Sequence, residues 1–391
     1  MTGLPGGWLD SWIACNEADL IDVRRWLHAH PEPGRAEHHT TRLLMDRLSE
    51  AGLSPKPLPG GAGLWCDIGV GPRVVALRAD LDALPLPDAK TVPYRSTVQG
   101  MCHACGHDVH TTMVLGAALA LAEAPERPAG RVRCIFQPAE EVIPGGAHDV
   151  IEAGGLEDVE RIFGLHCDPH LEVGRLGLRI GPITAACDLV EVRLSGPGGH
   201  TARPHLTVDI VHALGRIITD VPGLLSRLAD PRAAMSLVWG AVEAGHAPNA
   251  IPELGTLRGT VRVLDRAAWD HAEALVRRLI EEVAQPSGAQ VSISYHRGVP
   301  PVVNDPESVA ILRDAATTAL GAEAVTETGQ SLGGEDFGWY LGHVPGGMAR
   351  LGVYCGDGPR RDLHRGSFDI DERAIAVGVR TLVHTAYATL R

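Results

Sequence analysis

The chain of 391 residues is 45% apolar and 21% charged, which is the balance of a folded globular protein rather than a disordered one. A chain of this length is expected to form two domains rather than one. The formal net charge is −13 and no basic stripe is visible, which argues against a nucleic acid partner.

The cellular location is inferred from three features of the sequence. Residues 1–20 lack the basic segment and the long apolar run of a signal peptide. The longest apolar stretch, residues 113–122, is too short to cross a bilayer. Eight scattered cysteines form no disulfide framework and fit a reducing compartment. We therefore expect a cytoplasmic protein without a membrane partner.

Predicted helices and strands alternate along the first half of the chain. Hydrophobic periodicity and the positions of glycine and proline predict these elements in chain order. They are a helix at 18–30, a helix at 37–51, strands at 64–70 and 73–79, a helix at 107–124, a strand at 131–136, a helix at 145–153 and a strand at 161–166. Such alternation is typical of an α/β fold with a mostly parallel sheet covered by helices on both faces.

The pattern changes after residues 181–182. The next predicted elements are a strand at 188–195, a helix at 208–229, strands at 234–242 and 255–263, a helix at 267–284 and a strand at 290–296. This is the order of a ferredoxin-like α+β domain. Alternation of helices and strands returns after residues 298–301.

The change of pattern indicates one domain inserted into another. We predict a discontinuous domain over 1–182 and 298–391, interrupted by a domain over 183–297. The exposed edge of a ferredoxin-like sheet often pairs with a second copy, so a homodimer is expected.

The densest group of chemically active residues lies just before an apolar helix and reads MCHACGHDVH over residues 101–110. Cys105 and His107 flank a glycine, so both side chains can turn towards one point. A thiolate, an imidazole and nearby carboxylates suit zinc, manganese or cobalt, which favours a catalytic metal site. A zinc knuckle on Cys102 and Cys105 would need a second Cys/His pair, which the sequence lacks. A thioredoxin-like redox pair would need a different strand and helix context.

Several predicted strands end in polar residues, and ligands of open α/β sheets bind at the carboxyl ends of the strands. Glu140 and Glu141 follow the strand at 131–136. One carboxylate can bind a metal while its neighbour takes a proton from a metal-bound water; a surface acidic pair is the alternative. His166 ends the strand at 161–166, where a histidine that only fills the core is the alternative.

Two further groups near strand ends are ambiguous on their own. Asp80 and Asp82 follow the strand at 73–79, and His364 lies between the late strand around Val353 and the last helix. For each of them a site residue and a solvated loop are about equally good interpretations.

The segment 183–297 contains three more candidates. His200 lies in a glycine-rich turn, for which an ordinary hairpin is the simpler interpretation. Asn249 and Arg262 could bind a substrate carboxylate, since the planar guanidinium suits bidentate contacts, although each signal alone is weak.

Taken together, these motifs resemble one known family. They are RADLDALP, HACGHDVHTT, QPAEE, GLH, GGHTARPH, PNAIP, GTVR, GGEDFGWY and a late LH, spread from about His28 to the C-terminal helix. In this order they resemble the amidohydrolase branch of the metallo-aminoacylase/carboxypeptidase family, which includes hippurate hydrolases and indole-acetyl-amino-acid hydrolases. The resemblance implies a catalytic domain interrupted by a smaller dimerisation domain.

The resemblance also implies roles for individual residues. Glu140 matches the general acid/base and Asp80 a carboxylate that orients a ligand. His200 resembles a histidine that stabilises the oxyanion, commonly in the active site of the partner subunit. Asn249 and Arg262 resemble contacts to the free carboxylate of the substrate. The implied ligands of two divalent metal ions, with the cysteine shared, are Cys105, His107, Glu141, His166 and His364.

The expected reaction is hydrolysis of the amide bond of a small N-acyl amino acid by a metal-bridging water, with Glu140 as general acid/base. A dipeptidase or carboxypeptidase with the same site is the first alternative, because only the pocket would differ. A binding protein without catalytic activity is a remote alternative, since it would not need a base beside a metal-bound water. The mixed ligands suit zinc, manganese, cobalt or nickel.

Overall fold

The computed structural model describes residues 7–391 of the chain. Residues 1–6 lie outside the described residues. They belong to the segment 1–20, for which the sequence predicts no signal peptide. The helices are α1 (Trp8–Ala29), α2 (His38–Glu50), α3 (His107–Glu123), α4 (Ala147–Glu152), α5 (Ile210–Leu228), α6 (Arg266–Ala284), α7 (Pro306–Leu320), α8 (Phe337–Tyr340) and α9 (Arg373–Thr389).

The strands divide into two main sheets and several short pairs. In chain order they are β1 (Lys56–Pro57), β2 (Leu64–Gly69), β3 (Val74–Asp80), β4 (Arg131–Gln137), β5 (Val159–Glu172), β6 (Leu176–Leu178), β7 (Gly181–Pro182), β8 (Ala186–Ser195), β9 (Gly199–His200), β10 (Ser236–Ala244), β11 (Ala250–Ile251), β12 (Leu254–Val263), β13 (Gln290–Val299), β14 (Val303–Asn304), β15 (Val325–Glu327) and β16 (Gly346–Tyr354).

The chain folds into two compact units. One comprises the described part of Met1–Gly181 together with Asn304–Gly329 and Asp336–Arg391; the other comprises Pro182–Val303 and Gln330–Glu335. The catalytic and dimerisation roles assigned to domains with limits at 182/183 and 297/298 stay a prediction. No helix among residues 7–391 has the length and apolar character needed to cross a membrane.

The larger unit is built on an eight-stranded sheet in the order β1-β2-β4-β3-β5-β16-β6-β15. The central pairs β4–β3, β3–β5 and β5–β16 are parallel, whereas β2 joins β4 in the antiparallel direction. Every residue of β3 is buried, while β2 alternates between buried and partly buried residues near the edge. The prediction of a mostly parallel sheet in an α/β fold is therefore confirmed.

Helix α3 is the most deeply buried helix of this unit. All its residues from His107 to Leu121 are buried, because α1 and α9 pack against it while β3 and β4 lie beneath it. This environment explains why its sequence is apolar on every side rather than amphipathic. The N-terminus of α3 is thereby fixed at the carboxyl ends of the strands.

The smaller unit has the predicted ferredoxin-like topology. Its strands are antiparallel in the order β10-β12-β8-β13, and helices α5 and α6 pack against each other and against this sheet. Asp188 in β8 is fully buried and accepts hydrogen bonds from the Trp269 indole, the Tyr295 hydroxyl and the Gly298 N–H. These three partners satisfy a carboxylate that would otherwise be costly to bury.

Candidate metal centre

A glycine turn at the start of α3 brings Cys105 and His107 together. Gly106 has a φ of +89°, a left-handed conformation that favours glycine. A Cβ at this position would also lie only 2.8 Å from Cys167 Sγ, so the turn packs directly on β5. The sequence requirement for glycine between the two candidate ligands therefore has a local structural reason.

Two groups of ligand-type atoms meet at Cys105. In one group the donor atoms of Cys105, His107 and His166 lie within 4.8 Å of one another, and in the other those of Cys105, Glu141 and His364 do. Cys105 Sγ is 3.6 Å from His166 Nε2, and Glu141 Oε1 is 3.3 Å from His364 Nε2. The fold thus gathers the five candidate ligands around one shared sulfur.

The hydrogen bonds of the two buried histidines define which ring nitrogen is available. Nδ1 of His107 lies 2.8 Å from the carbonyl oxygen of Asp82, and Nδ1 of His166 lies 2.8 Å from that of Cys167. A carbonyl only accepts, so each Nδ1 carries a proton and each Nε2 is the nitrogen left to face a metal ion. Metal-binding histidines commonly donate their second N–H in this way.

His107 gives the most direct test of whether a cation fits. Its Nε2 is buried and makes no hydrogen bond to any residue of the described chain 7–391. A buried polar atom without a partner is rare in folded proteins and indicates a missing binding partner. Thiolate, imidazole and carboxylate donors around this atom suit a divalent transition metal, so the residues fit the expected ions.

The ionisable groups of this cluster strongly influence one another. Burial would lower the pKa of His107, but the charges of Asp80 and Cys105 outweigh it and hold that pKa well above its ordinary value. Burial and the charge of Glu141 raise the pKa of the Cys105 thiol. Hydrogen bonds to Cys105 and Glu141 raise the pKa of His364 to about 10. Binding of a cation would favour the thiolate and the neutral imidazoles instead.

Glu140 and Asp80 lie beside the candidate ligands. Glu140 Oε2 is 3.8 Å from His107 Nε2, and Asp80 Oδ2 is at the same distance from that nitrogen. Burial would raise the pKa of Asp80, but His107, His110 and Arg78 hold it well below its ordinary value. Asp80 is therefore an ionised carboxylate beside His107 and His110.

His110 belongs to the same motif, but both of its nitrogens are occupied. Its Nε2 accepts the N–H of Cys167 at 2.9 Å, so Nδ1 carries the proton and donates to Asp80 Oδ1 at 2.6 Å. His110 is thus a link between Asp80 and β5 rather than a candidate ligand. The HDVH pattern drew attention to this residue, but only its partners reveal its role.

Another polar network, which the sequence did not predict, supports the end of β4, just before the turn that carries Glu140. Asp336 accepts hydrogen bonds from Arg78 at 2.6 Å, from Gln137 at 2.7 Å and from the N–H of Ala147 at 3.0 Å. Tyr340 adds a hydrogen bond to Gln137 at 3.0 Å. The signal in the sequence was the EDFGWY motif, which contains both Asp336 and Tyr340.

Cys102 has a different environment from Cys105. Its thiol lies 3.5 Å from Lys90 Nζ, and Lys90 forms an ion pair with Asp88 at 3.0 Å. Burial raises the pKa of Cys102 to about 11. The structure therefore gives Cys102 its own polar neighbours, separate from both groups that contain Cys105.

The remaining three candidates lie in the smaller unit. His200 in β9 pairs with Ala250 of β11, directly after Asn249, and its Nδ1 accepts the N–H of Ala202 at 3.0 Å. The same residue can therefore present Nε2–H to a ligand. Arg262 is partly buried and donates to the carbonyl of Leu332 at 2.6 Å. Within this unit His200 and Asn249 are neighbours, whereas Arg262 lies on β12.

The chain has clear relatives among known proteins. It is 52% identical over 95% of its length to a protein of Rhodococcus jostii (strain RHA1) whose name describes a glutamate–cysteine ligase, and it spans about half, 47%, of that protein. It is 37% identical to the N-acetyl-L-cysteine deacetylase of Bacillus subtilis (strain 168), over 92% of this chain and 85% of that protein.

A solved structure and a family model complete the comparison. The structure is described as a dinuclear metal-binding peptidase of the M20 family from Bacillus subtilis. The match covers 96% of this chain and 99% of the chain in that structure, with 34% identity and a TM-score of 0.84. The model of peptidase family M20/M25/M40 matches residues 76–388. The chain therefore belongs to peptidase family M20/M25/M40 and is a metal-dependent amide hydrolase.

Proposed function

We propose that the chain hydrolyses the amide bond of N-acyl amino acids at a site for two divalent metal ions. The observation that carries this proposal is the pair of ligand groups that share Cys105, with the carboxylate of Glu140 beside them. A protein that only bound a metal would have no need of an additional carboxylate at that place.

The proposed ligands are Cys105 for both ions, His107 and His166 in one group, and Glu141 and His364 in the other. When bound, two such cations lower the pKa of water towards about 7 and polarise the scissile carbonyl. Zinc, manganese, cobalt and nickel are all compatible with these donors.

Glu140 is proposed to transfer the proton during hydrolysis. Its carboxylate takes a proton from the attacking water as the new C–O bond forms, and it delivers this proton to the leaving nitrogen as the C–N bond breaks. Asp80 holds His110 through a 2.6 Å hydrogen bond and carries negative charge beside His107, which keeps the ring orientations constant.

The smaller unit is proposed to bind the substrate and to form a homodimer. Strand β10 is an edge strand whose Val238 and Val242 are 61% and 57% exposed, and an apolar exposed edge is a surface that a second copy can cover. Asn249 and Arg262 would contact the carboxylate of the substrate. A cytoplasmic location also remains a proposal, based on eight free cysteines.

His200 is proposed to donate a hydrogen bond from Nε2 to the oxyanion in the site of the partner subunit. We expect His200→Ala to lower kcat by roughly 10²- to 10³-fold, as the loss of one oxyanion donor does elsewhere. Glu140→Gln chains and His200→Ala chains, each strongly impaired alone, should form mixed dimers with one intact site. Activity of the mixture, measured against each parent at the same protein concentration, tests this. A mixture that gains no activity despite forming dimers would contradict action across the interface.

The relatives suggest which N-acyl amino acid to test first. One relative is named as an N-acetyl-L-cysteine deacetylase, and the name of another describes a glutamate–cysteine ligase. We therefore propose N-acylcysteines, namely N-acetyl-L-cysteine and γ-glutamylcysteine, as the first candidate substrates.

The test is a hydrolysis screen of these two compounds, N-acetyl and N-benzoyl derivatives of other amino acids, and dipeptides. We expect roughly two metal ions per chain. We also expect the release of a free amino acid, and a chelator should abolish this release while added metal restores it. Cleavage of dipeptides alone would favour the peptidase alternative. If a chain reconstituted with each of the four metals turned over none of these amides, the proposed function would be wrong.

A further inference from the structure

Strand β16 of the eight-stranded sheet carries a single charged side chain. The strand is buried from Gly346 to Val353, and Arg350 is the only charged residue in it. Ala349 and Leu351, on either side of Arg350, belong to the main apolar core. Because successive side chains of a strand point to opposite faces of the sheet, Arg350 lies on the face opposite to this core.

Arg350 is a direct neighbour of the candidate ligand His166. The two residues lie opposite each other where β16 runs parallel to β5. Leu165 and Cys167 also belong to the main apolar core, so His166 lies on the same face of the sheet as Arg350. Burial, and next the positive charge of Arg350, hold the pKa of His166 well below its ordinary value. The guanidinium is therefore close to the candidate metal centre.

The guanidinium of Arg350 has no anionic partner within the described chain. Arg350 is 8% exposed, yet it makes no hydrogen bond or ion pair with any residue between 7 and 391. Gly177 lies opposite it on β6 and has no side chain to offer. The carboxylate of Asp168, further along β5, accepts the N–H of His170 at 2.8 Å instead.

Arg350 differs in this respect from the other buried arginines of residues 7–391. Each of those has a carboxylate partner, and the pairs are Arg24 with Asp108 at 2.8 Å, Arg78 with Asp336 at 2.6 Å, and Arg133 with Asp67 at 2.7 Å. An isolated buried charge is costly, so buried charges are normally paired. A buried guanidinium without a partner beside a candidate metal centre therefore indicates an anion that the protein itself does not supply.

A carboxylate of the substrate has the chemistry that this position requires. The planar guanidinium can donate two parallel hydrogen bonds to a carboxylate. The carboxylate of the amino acid part is assigned above to Asn249 and Arg262, which both belong to the smaller unit. A second carboxylate, on the acyl part, would give Arg350 its missing partner in the larger unit.

We propose that Arg350 is a specificity-determining residue, which binds a carboxylate at the end of the acyl group of the substrate. The inference rests on the function proposed above. It narrows the substrates to N-acyl amino acids with an anionic acyl group, such as succinyl, glutaryl or γ-glutamyl. Of the first two candidate substrates, γ-glutamylcysteine should therefore be hydrolysed with a higher kcat/KM than N-acetyl-L-cysteine, whose acyl group is neutral.

The test compares N-glutaryl-L-cysteine with N-glutaramoyl-L-cysteine, in which an amide replaces the terminal carboxylate. In the wild type we expect kcat/KM to be roughly 10- to 100-fold higher for the N-glutaryl compound, because hydrogen bonds between charged groups are the strong ones. Arg350→Met should abolish this preference and leave kcat/KM for N-acetyl-L-cysteine at the wild-type value. Arg350→Lys should keep part of the preference, because it retains the charge but not the planar fork.

Arg133→Met is the matched control. Arg133 is also a buried arginine of the eight-stranded sheet, but it donates to Asp67 and to the carbonyls of Gly155 and Glu157. We expect Arg133→Met to keep the preference for the N-glutaryl compound and to unfold at a lower temperature, because these acceptors lose their donor.

Thermal unfolding without substrate gives a result that does not depend on activity. Arg350→Met should unfold at the wild-type temperature or above it, because the change removes a buried charge without a partner in the chain. A clearly lower unfolding temperature for Arg350→Met would show that Arg350 has a structural partner and would overturn the inference.

The kinetic outcomes separate this inference from the proposed function. Equal kcat/KM for the N-glutaryl and N-glutaramoyl compounds in the wild type would overturn the inference, while their hydrolysis would still support the function. An equal fall in kcat/KM for all three substrates in Arg350→Met would have the same meaning. A wild type that hydrolyses none of these amides would contradict the function itself, and with it the specificity assigned to Arg350.

Discussion

Glu140→Gln should lower kcat by about 10²- to 10⁴-fold while the protein keeps its bound metal, because the amide cannot accept the proton of the attacking water. Glutamine has the shape of glutamate, and the backbone N–H of residue 140 can still donate to Asp82 Oδ1. The fall in kcat therefore measures the effect of removing the carboxylate charge rather than an effect of moving the turn. Steady-state kinetics with N-acetyl-L-cysteine, combined with metal analysis of the same sample, measures it.

Glu160→Gln is a suitable control for this change. Glu160 forms an ion pair with Arg73 at 3.0 Å, and its side chain is 44% exposed. Exposed pairs contribute little to stability, so we expect normal kcat and normal metal content. Substantial residual activity of Glu140→Gln would contradict its role as general acid/base. Loss of metal from this variant would instead identify Glu140 as a ligand.

Cys105→Ala should remove bound metal from both groups of ligands. The Cys105 sulfur belongs to the group with His107 and His166 and also to the group with Glu141 and His364. We expect the metal content to fall from about two ions per chain to fewer than about one, with activity below detection, since both ions of a two-metal site share the lost donor. Elemental analysis after gel filtration gives the number of ions per chain.

Cys102→Ala provides the matched control, because it removes a buried thiol only three residues away. The Cys102 thiol faces Lys90 at 3.5 Å, and burial raises its pKa to about 11, so it stays protonated. We expect unchanged metal content and activity. Two bound ions and full activity in Cys105→Ala would rule out a shared cysteine ligand.

The types of the elements followed from the sequence, but several of their limits did not. Helix α1 begins at Trp8 rather than at residue 18, since Leu9, Trp12 and Ile13 extend the same buried stripe. Strand β5 continues to Glu172, well beyond the predicted end at residue 166. Its extension through Pro169 depends on pairing with β16, where Tyr354 lies opposite Glu172. In the sequence a proline predicts the end of a strand. Only the pairing with β16 shows that β5 continues past it.

The candidate site shows a similar division. The set of five donor residues came from the resemblance of the motifs to a known family, whereas residue type and position alone left His364 open between a site residue and a solvated loop. The partner strands and helices then bring these donors within 4.8 Å of Cys105 in two groups. In the sequence, the glycine between Cys105 and His107 already favoured His107, but it gave no role to His110 on the same helix turn. The N–H of Cys167 distinguishes them by occupying Nε2 of His110.

By itself the sequence determined the α/β class, the inserted ferredoxin-like segment and the chemical types that could bind a metal ion. These properties depend on local periodicity and on residue identity, which are visible along the chain. The tertiary structure decided which buried carboxylates hold the turn at Ala139. Glu37 and Asp82 are 102 and 58 residues or so away from the amides that they bind. The pairing of β3 and β4 brings Asp82 to its amides, whereas Glu37 reaches Ala139 from the start of α2. Hydrogen bonds between such distant segments leave no regular spacing in the sequence.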